Sequence, residues 1–349
     1  MTPRIVSSLL IVAIISVAAA VYGVTSRVDF QTSSFEGQKL FPGLVDDAQS
    51  VVELVVVQDG TTMTFVHVGE HWRLKESGNY PVHGNLVSKV VFSLSNMELL
   101  EAKTSSPARH DVLQLGDPYK KNGKSQLVIL KDAAGETIAE LVVGRANFFL
   151  PETTTGGMYV RRPGEDQAWL VRGLVDIGVE PRGWLKREIV NIPPENIVRV
   201  DVTQPGGDEL VVVPKEDVTG GFAFANMPEG LKLKSEYAPR NVAAILNNFV
   251  LNDVRRISDI NLDLAQAYSG TFLSADGVKV MLKIYHQDGT QYMTVDAEYV
   301  GNALVSKAAQ QAAEIKARTD GWAYIIPEYQ YEQIAQKMED VTEKITPDS

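Results

Sequence analysis

The sequence predicts a strand-rich α+β fold: an N-terminal transmembrane helix followed by two tandem β-rich α+β domains of similar element order. Three observations predict it. Residues Ile5 to Val24 run without a charge. Short β-branched runs with alternating character, separated by turn residues, fill most of the chain beyond that segment. The order of those runs, with one amphipathic helix among them, recurs at an offset of about 145 to 155 residues, a period that means duplicated domains and not a solenoid. A chain of 349 residues holds two domains of about 150 residues each. The expected divisions are 1–27 anchor, 28–45 spacer, 46–183 first domain, 184–196 junction, 197–343 second domain and 344–349 tail.

The anchor rests on length and charge. Ile5 to Val24 has side-chain polarity only at Ser7, Ser8, Ser16 and Tyr22. As a helix it spans about 30 Å, the thickness of a bilayer's hydrocarbon core. The amino terminus and Arg4 precede it, so the positive-inside rule puts the N-terminus in the cytoplasm and the body across the membrane. The alternative is a cleaved signal peptide, for which Ala18-Ala19-Ala20 satisfies the small-x-small rule. The run is long for a signal core and continues through Val21, Tyr22 and Val24, which favours retention. Either outcome exports the body.

In the first domain, Val51–Val57, Thr62–Val68 and His71–Leu74 read as a meander with turns at Asp59-Gly60 and Gly69. From Gly84 to Leu100 the period changes. Leu86, Val90, Leu94 and Met97 make the apolar stripe of an amphipathic helix. Strands resume at 126–131 and 137–143 across an Asp132–Gly135 turn, then at 158–161 and 168–171. Pro193-Pro194 marks the junction. The second domain repeats the order: strands at 197–203, 209–214 and 221–225, a helix from Pro239 to about Asp253, strands at 271–273, 278–285 and 291–295, and Trp322–Ile326 in the place of Met158–Arg161. An alanine-rich helix, Ala303–Arg318, is an addition, and a short helix over Tyr329–Glu343 closes the chain.

The chemistry legible in the residues is mostly exclusion. The chain has no cysteine, which removes disulfides, thiolate metal sites, thiol catalysis and lipoprotein acylation. A net charge of −11 argues against a nucleic-acid binder and against wide contact with anionic lipid. His67-Val68-Gly69-Glu70-His71 matches the string H-x-x-E-H of zinc peptidases. That motif needs a helix to bring both histidines onto one face, and here Gly69 sits between strand-like flanks. His83, His110 and His286 have no serine or acid at telling spacing. Thr155-Gly156-Gly157 and Thr219-Gly220-Gly221 lack the lysine and the strand-to-helix setting of a phosphate loop. Asp253–Asp263 carries four acids but lacks the glycine and terminal glutamate of a calcium loop, so it reads as a solvated loop. Trp72, Trp169, Trp184 and Trp322 fit either a sugar-stacking platform or core plugs at strand ends. The small residues of Ala303–Arg318 suit an external partner or an internal contact equally. No catalytic, cofactor-binding or metal-ligating residue is therefore assigned, and no nucleotide site or cofactor is expected.

Gly69-Glu70-His71-Trp72-Arg73-Leu74, followed by Tyr80-Pro81-Val82 and the amphipathic helix, resembles the domain-of-unknown-function 4340 family, whose members show G-x-x-W-x-[LI] and a tyrosine–proline step into a helix. Val112–Pro118, Leu141-Val142-Val143-Gly144 and Trp322–Pro327 are similar to further segments of that family, so the likeness covers most of residues 45 to 336. It implies an anchored periplasmic protein of Gram-negative bacteria, encoded beside an ABC-transporter ATPase, a permease and a gliding-motility-type auxiliary subunit. The expectation is a non-enzymatic accessory subunit in the inner membrane, with the membrane, an ABC-type permease and other envelope proteins as partners. The alternatives are a binding module for a glycan or lipid-linked envelope precursor, and an anchored hydrolase.

Overall fold

The computed structural model describes residues 15–17, 35, 37–150, 155–216, 218–262, 267–287, 289–302 and 306–345. The protein is a β-rich α+β protein built on antiparallel sheets, and it divides into two compact units, Met1–Trp184 and Leu185–Ser349. The expected anchor lies outside the described residues except for residues 15–17, which are helical and exposed. Among the described residues no helix is long and apolar enough to cross a membrane.

The first unit holds β1 (Glu53–Gln58), β2 (Thr61–Val68), β3 (His71–Leu74), β4 (Tyr80–Pro81), β5 (Glu98–Ala102), β6 (Gln126–Lys131), β7 (Thr137–Asn147), β8 (Gly157–Arg161) and β9 (Ala168–Arg172), with helices α1 (Leu44–Asp47) and α2 (Gly84–Ser95). They form one nine-stranded sheet in the order β4-β3-β2-β1-β6-β7-β8-β9-β5. Register builds the core. Leu74, Phe65, Leu54, Leu130 and Ala139 stand side by side across five strands, and each is at most 4% exposed. Side chains alternate faces along a strand, so Val57, Leu127 and Val142 gather on the opposite face, where Leu115 covers them. Helix α2 buries Val87, Val90, Val91 and Leu94.

Two expectations change here. The helix stops at Ser95, not Leu100, and Glu98–Ala102 becomes an edge strand paired with β9. Asn96 ends the helix by closing its side chain onto Phe92 O at 2.9 Å, which frees Met97 to turn into the core at 0% exposure. The spacer is also shorter than expected. Leu40 and Leu44 are 1% and 2% exposed, and Lys39 bridges to Glu98 beside the sheet edge, so chain from Gln38 onward belongs to the first unit.

The second unit holds β10 (Glu188–Val190), β11 (Ile197–Thr203), β12 (Glu209–Pro214), β13 (Phe222–Phe224), β14 (Leu231–Leu233), β15 (Phe249–Val250), β16 (Asp253–Arg256), β17 (Tyr268–Ser274), β18 (Val278–Gln287), β19 (Thr290–Tyr299), β20 (Trp322–Ile325) and β21 (Thr342–Lys344). Its helices are α3 (Ala238–Ala243), α4 (Lys307–Thr319), α5 (Glu328–Ile334) and α6 (Met338–Val341). Its main sheet runs β13-β12-β11-β17-β18-β19-β20-β16. This is the first sheet's order, strand for strand, without a counterpart of β4. In both, a strand that comes after the helix, β5 in the first and β16 in the second, crosses to the far edge and pairs with the last strand of the meander. Phe224, Val212, Val200, Phe272, Val280 and Ala297 form one buried row across it.

Trp322–Ile325 thus occupies the place of β9, while Met158–Arg161 corresponds to β19. The helix expected from Pro239 to Asp253 ends at Ala243, and Phe249–Val250 pairs with β10 instead. Asp253–Arg256, expected in a solvated loop, is the edge strand β16. Its charges are those of an edge kept from pairing further: Arg255 meets Asp253 at 2.7 Å while Val254 is fully buried. The closing helix is two short helices and a strand.

Candidate functional site

The face of the first sheet that carries Phe65 and Leu74 continues past the core to His67 and Trp72, which are cross-strand partners. Their rings lie 5.2 Å apart at 53°. Trp72 rests on the start of α2, where Gly84 admits it: a Cβ there would come 3.1 Å from Trp72 Cδ1. The adjoining side of α2 presents Ser88, Phe92, Ser95 and Asn96, spaced three and four residues apart so that they share one stripe. Val45, Ala48 and Gln49 in and after α1, with Val51 and Val52 entering β1, close the other wall. The result is a groove of about 470 Å³.

The groove's chemistry is neutral. None of its twelve lining residues is Asp, Glu, Lys or Arg, in a chain with 22% charged residues. Phe92 is 67% exposed and Val45 54% exposed at its rim. Both side chains line the same groove, so apolar surface stands open to solvent along its two walls. The hydrogen-bonding groups are amides, hydroxyls and one imidazole, and Ser95 Oγ and Asn96 Nδ2 are both spent on Phe92 O, at 2.9 Å each.

The other residues singled out by sequence are dispersed. His67 and His71 stand in a strand–turn–strand hairpin with Gly69 at φ 62°, not on a helix. His83 precedes α2, and His286 is exposed near the end of β18. His110 is 7% exposed, with its ring nitrogen Nε2 2.9 Å from Asp166 O. Gly156 and Gly220 are left-handed turn residues. Trp184 and Trp322 are 2% and 5% exposed; the first donates Nε1–H to Gly178 O at 2.9 Å, and the second lies 3.6 Å under the Arg256 guanidinium. Trp169 is half-buried beneath Phe35. Trp72 is half-buried and lines the groove. Helix α4 turns Ala308, Ala312, Ile315 and Thr319 inward against β18 and β19, while Ala313 and Ala317 stay exposed. Tyr331 is pushed up to about 12 by burial and by its hydrogen bond with Tyr268.

The family model described as domain of unknown function DUF4340 matches residues 72–263, more than half of the chain. The protein belongs to the DUF4340 family. The match begins at Trp72, on the groove, and runs into the second unit. Comparisons with curated proteins and with solved structures returned no match. The groove was not legible in the sequence, on two counts. Phe92 lies off the Leu86–Met97 stripe, and an aromatic on the polar flank of an amphipathic helix was the available signal. Val45 fell in the expected spacer.

Proposed function

We propose that this DUF4340 protein is a non-enzymatic accessory subunit of an ABC-type membrane complex, anchored in the inner membrane by Ile5–Val24, with its two units in the periplasm. The two units are copies of one ancestral unit, a reading supported by their common strand order. The groove of the first unit is the surface that receives a permease or another envelope protein. The observation that carries this is the neutral groove with Phe92 and Val45 exposed on its rim. Apolar surface of this kind gains free energy by burial against a partner, at about 25 cal/mol per Å². Energy for transport comes from a separate cytoplasmic ATPase.

The test is purification of the full chain from native membranes in mild detergent. A permease and an ATPase are expected to accompany the wild-type chain and to be lost with Phe92→Asp. Recovery of the chain alone would overturn the proposal.

A second reading has one specific observation behind it. Trp72 is the one tryptophan that lines the groove, among Gln49, Ser88 and His67, and aromatic faces with neutral hydrogen-bonding groups suit a glycan. Titration of envelope glycan fragments, read by the loss of response in Trp72→Phe, decides between the two.

A further inference from the structure

The β7–β8 connection presents two adjacent phenylalanines to solvent: Phe148 is 70% exposed and Phe149 is 92% exposed. The backbone around them is braced at its β7 end. Phe149 N–H donates to Asn147 Oδ1 at 3.1 Å. Leu150 folds back over Gly157, which has no side chain to obstruct it. Gly156, at φ 68°, passes close under Phe148. Arg145, exposed three residues before Phe148, lies 5.6 Å from the centre of the Tyr159 ring. A pair of bare aromatic rings with a cation nearby in sequence suits the boundary between acyl chains and phosphate headgroups.

The tip also stands near the point where the chain enters the first unit. Phe35 packs edge-on against Trp169 at 5.1 Å. Trp169 lies three residues from Arg172 on β9, Arg172 pairs with Gly157, and Gly157 pairs with Asn147. By strand spacings this puts the two phenylalanines within roughly 30 Å of Phe35. The chain between Val24 and Phe35 can extend at most about 35–40 Å.

We propose that Phe148 and Phe149 form a wedge that inserts into the lipid interface and seats the first unit against the membrane that anchors it. The proposal rests on the anchored reading above. Contact is through apolar insertion, since the net charge of −11 opposes adsorption to anionic lipid. It is therefore expected on zwitterionic vesicles.

The absence of cysteine makes the test site-specific. The full chain is reconstituted in phosphatidylcholine vesicles with one environment-sensitive fluorophore at Phe149→Cys, Phe148→Cys, Ile15→Cys or Glu136→Cys. Glu136 is exposed at the other end of β7, about 35 Å away. Labels at 15, 148 and 149 are expected to shift to the blue, brighten several-fold and be quenched by lipid-borne nitroxide, while the label at 136 stays wet. Labels at 148 and 149 as wet as that at 136, with 15 in lipid, would overturn the wedge and leave the anchor standing. A wet label at 15 would overturn the anchor itself. Shielding of 148 and 149 in native membranes but not in vesicles would assign the tip to a protein partner, and would also overturn the wedge.

Discussion

Single residues set limits that the strand pattern does not reveal. Glu53 on β1 accepts from Lys75 at 2.8 Å and from Lys131 at 3.1 Å, with its side chain only 20% exposed. The Lys75 hydrogen bond holds its carboxyl below the ordinary 4.5; burial works in the opposite direction, and Lys131 adds to the lowering. A carboxylate with a depressed folded pKa stabilises the fold above its unfolded pKa and loses that contribution as pH falls through the folded value. Stability is therefore expected to decline below pH 4.5. Glu53→Gln should cost about 1 kcal/mol at neutral pH and flatten this acid limb, as read by urea unfolding across pH. Gly144 on β7 is limited by space. A Cβ there would lie 2.8 Å from both Gln114 O and Leu115 Cδ2. Gly144→Ala is expected to destabilise by about 1–3 kcal/mol, because backbone cannot rotate away as a side chain can. A thermal midpoint unchanged from wild type would refute the tight approach of the 113–115 segment to β7.

Elements show how one helix serves both packing and recognition. On α2, Leu94 is 1% exposed and Phe92 67% exposed, two positions apart. Leu94→Ala should cost about 2–5 kcal/mol by opening a cavity. Phe92→Ala should change stability by less than about 0.5 kcal/mol while weakening partner recovery from membranes. Equal stability losses in the two variants would mean that Phe92 is packed and not presented. On α4 the first turn depends on Ser306, whose Oγ accepts from Ala309 N–H at 3.0 Å. Ser306→Ala is expected to cost about 1 kcal/mol, measurable by denaturant unfolding. The misplacement of α3 has the same physics in reverse. Val242, Ile245, Leu246 and Phe249 all recur at helical spacing and all are buried. The helix nevertheless gives way after Ala243, since Phe249 has a β10 partner and Ile192 N–H reaches Leu246 O at 2.9 Å. Burial satisfies the apolar residues in either conformation, so periodicity alone could not choose.

At the scale of the whole molecule, two compact units, each with its own row of buried side chains across its sheet, predict two unfolding steps and not one cooperative transition. Leu54→Ala should shift only the step of the first unit, and Phe272→Ala only that of the second; calorimetry showing both substitutions moving a single transition would contradict this. Most of the strands, the hairpin turns and the α+β class were legible from residue order. Alternation and turn residues act within a few positions, and Asp132–Gly135 or Asp59-Gly60 carry their own instructions. The uncharged run of Ile5–Val24 was equally plain, being a property of composition over one segment. Long-range pairing was not legible. Nothing local in Glu98–Ala102 or Asp253–Arg256 announces an edge strand, because each is defined by a partner far along the chain, β9 and β20 respectively. The groove has the same origin: Val45, Trp72 and Phe92 come together only when α1, the β2–β3 hairpin and α2 pack. Sequence by itself determined the class, the meander and the approximate recurrence of a unit. Tertiary structure alone decided where strands cross to the far edge and which apolar residues remain uncovered, since burial depends on what packs against a residue and not on the residue itself.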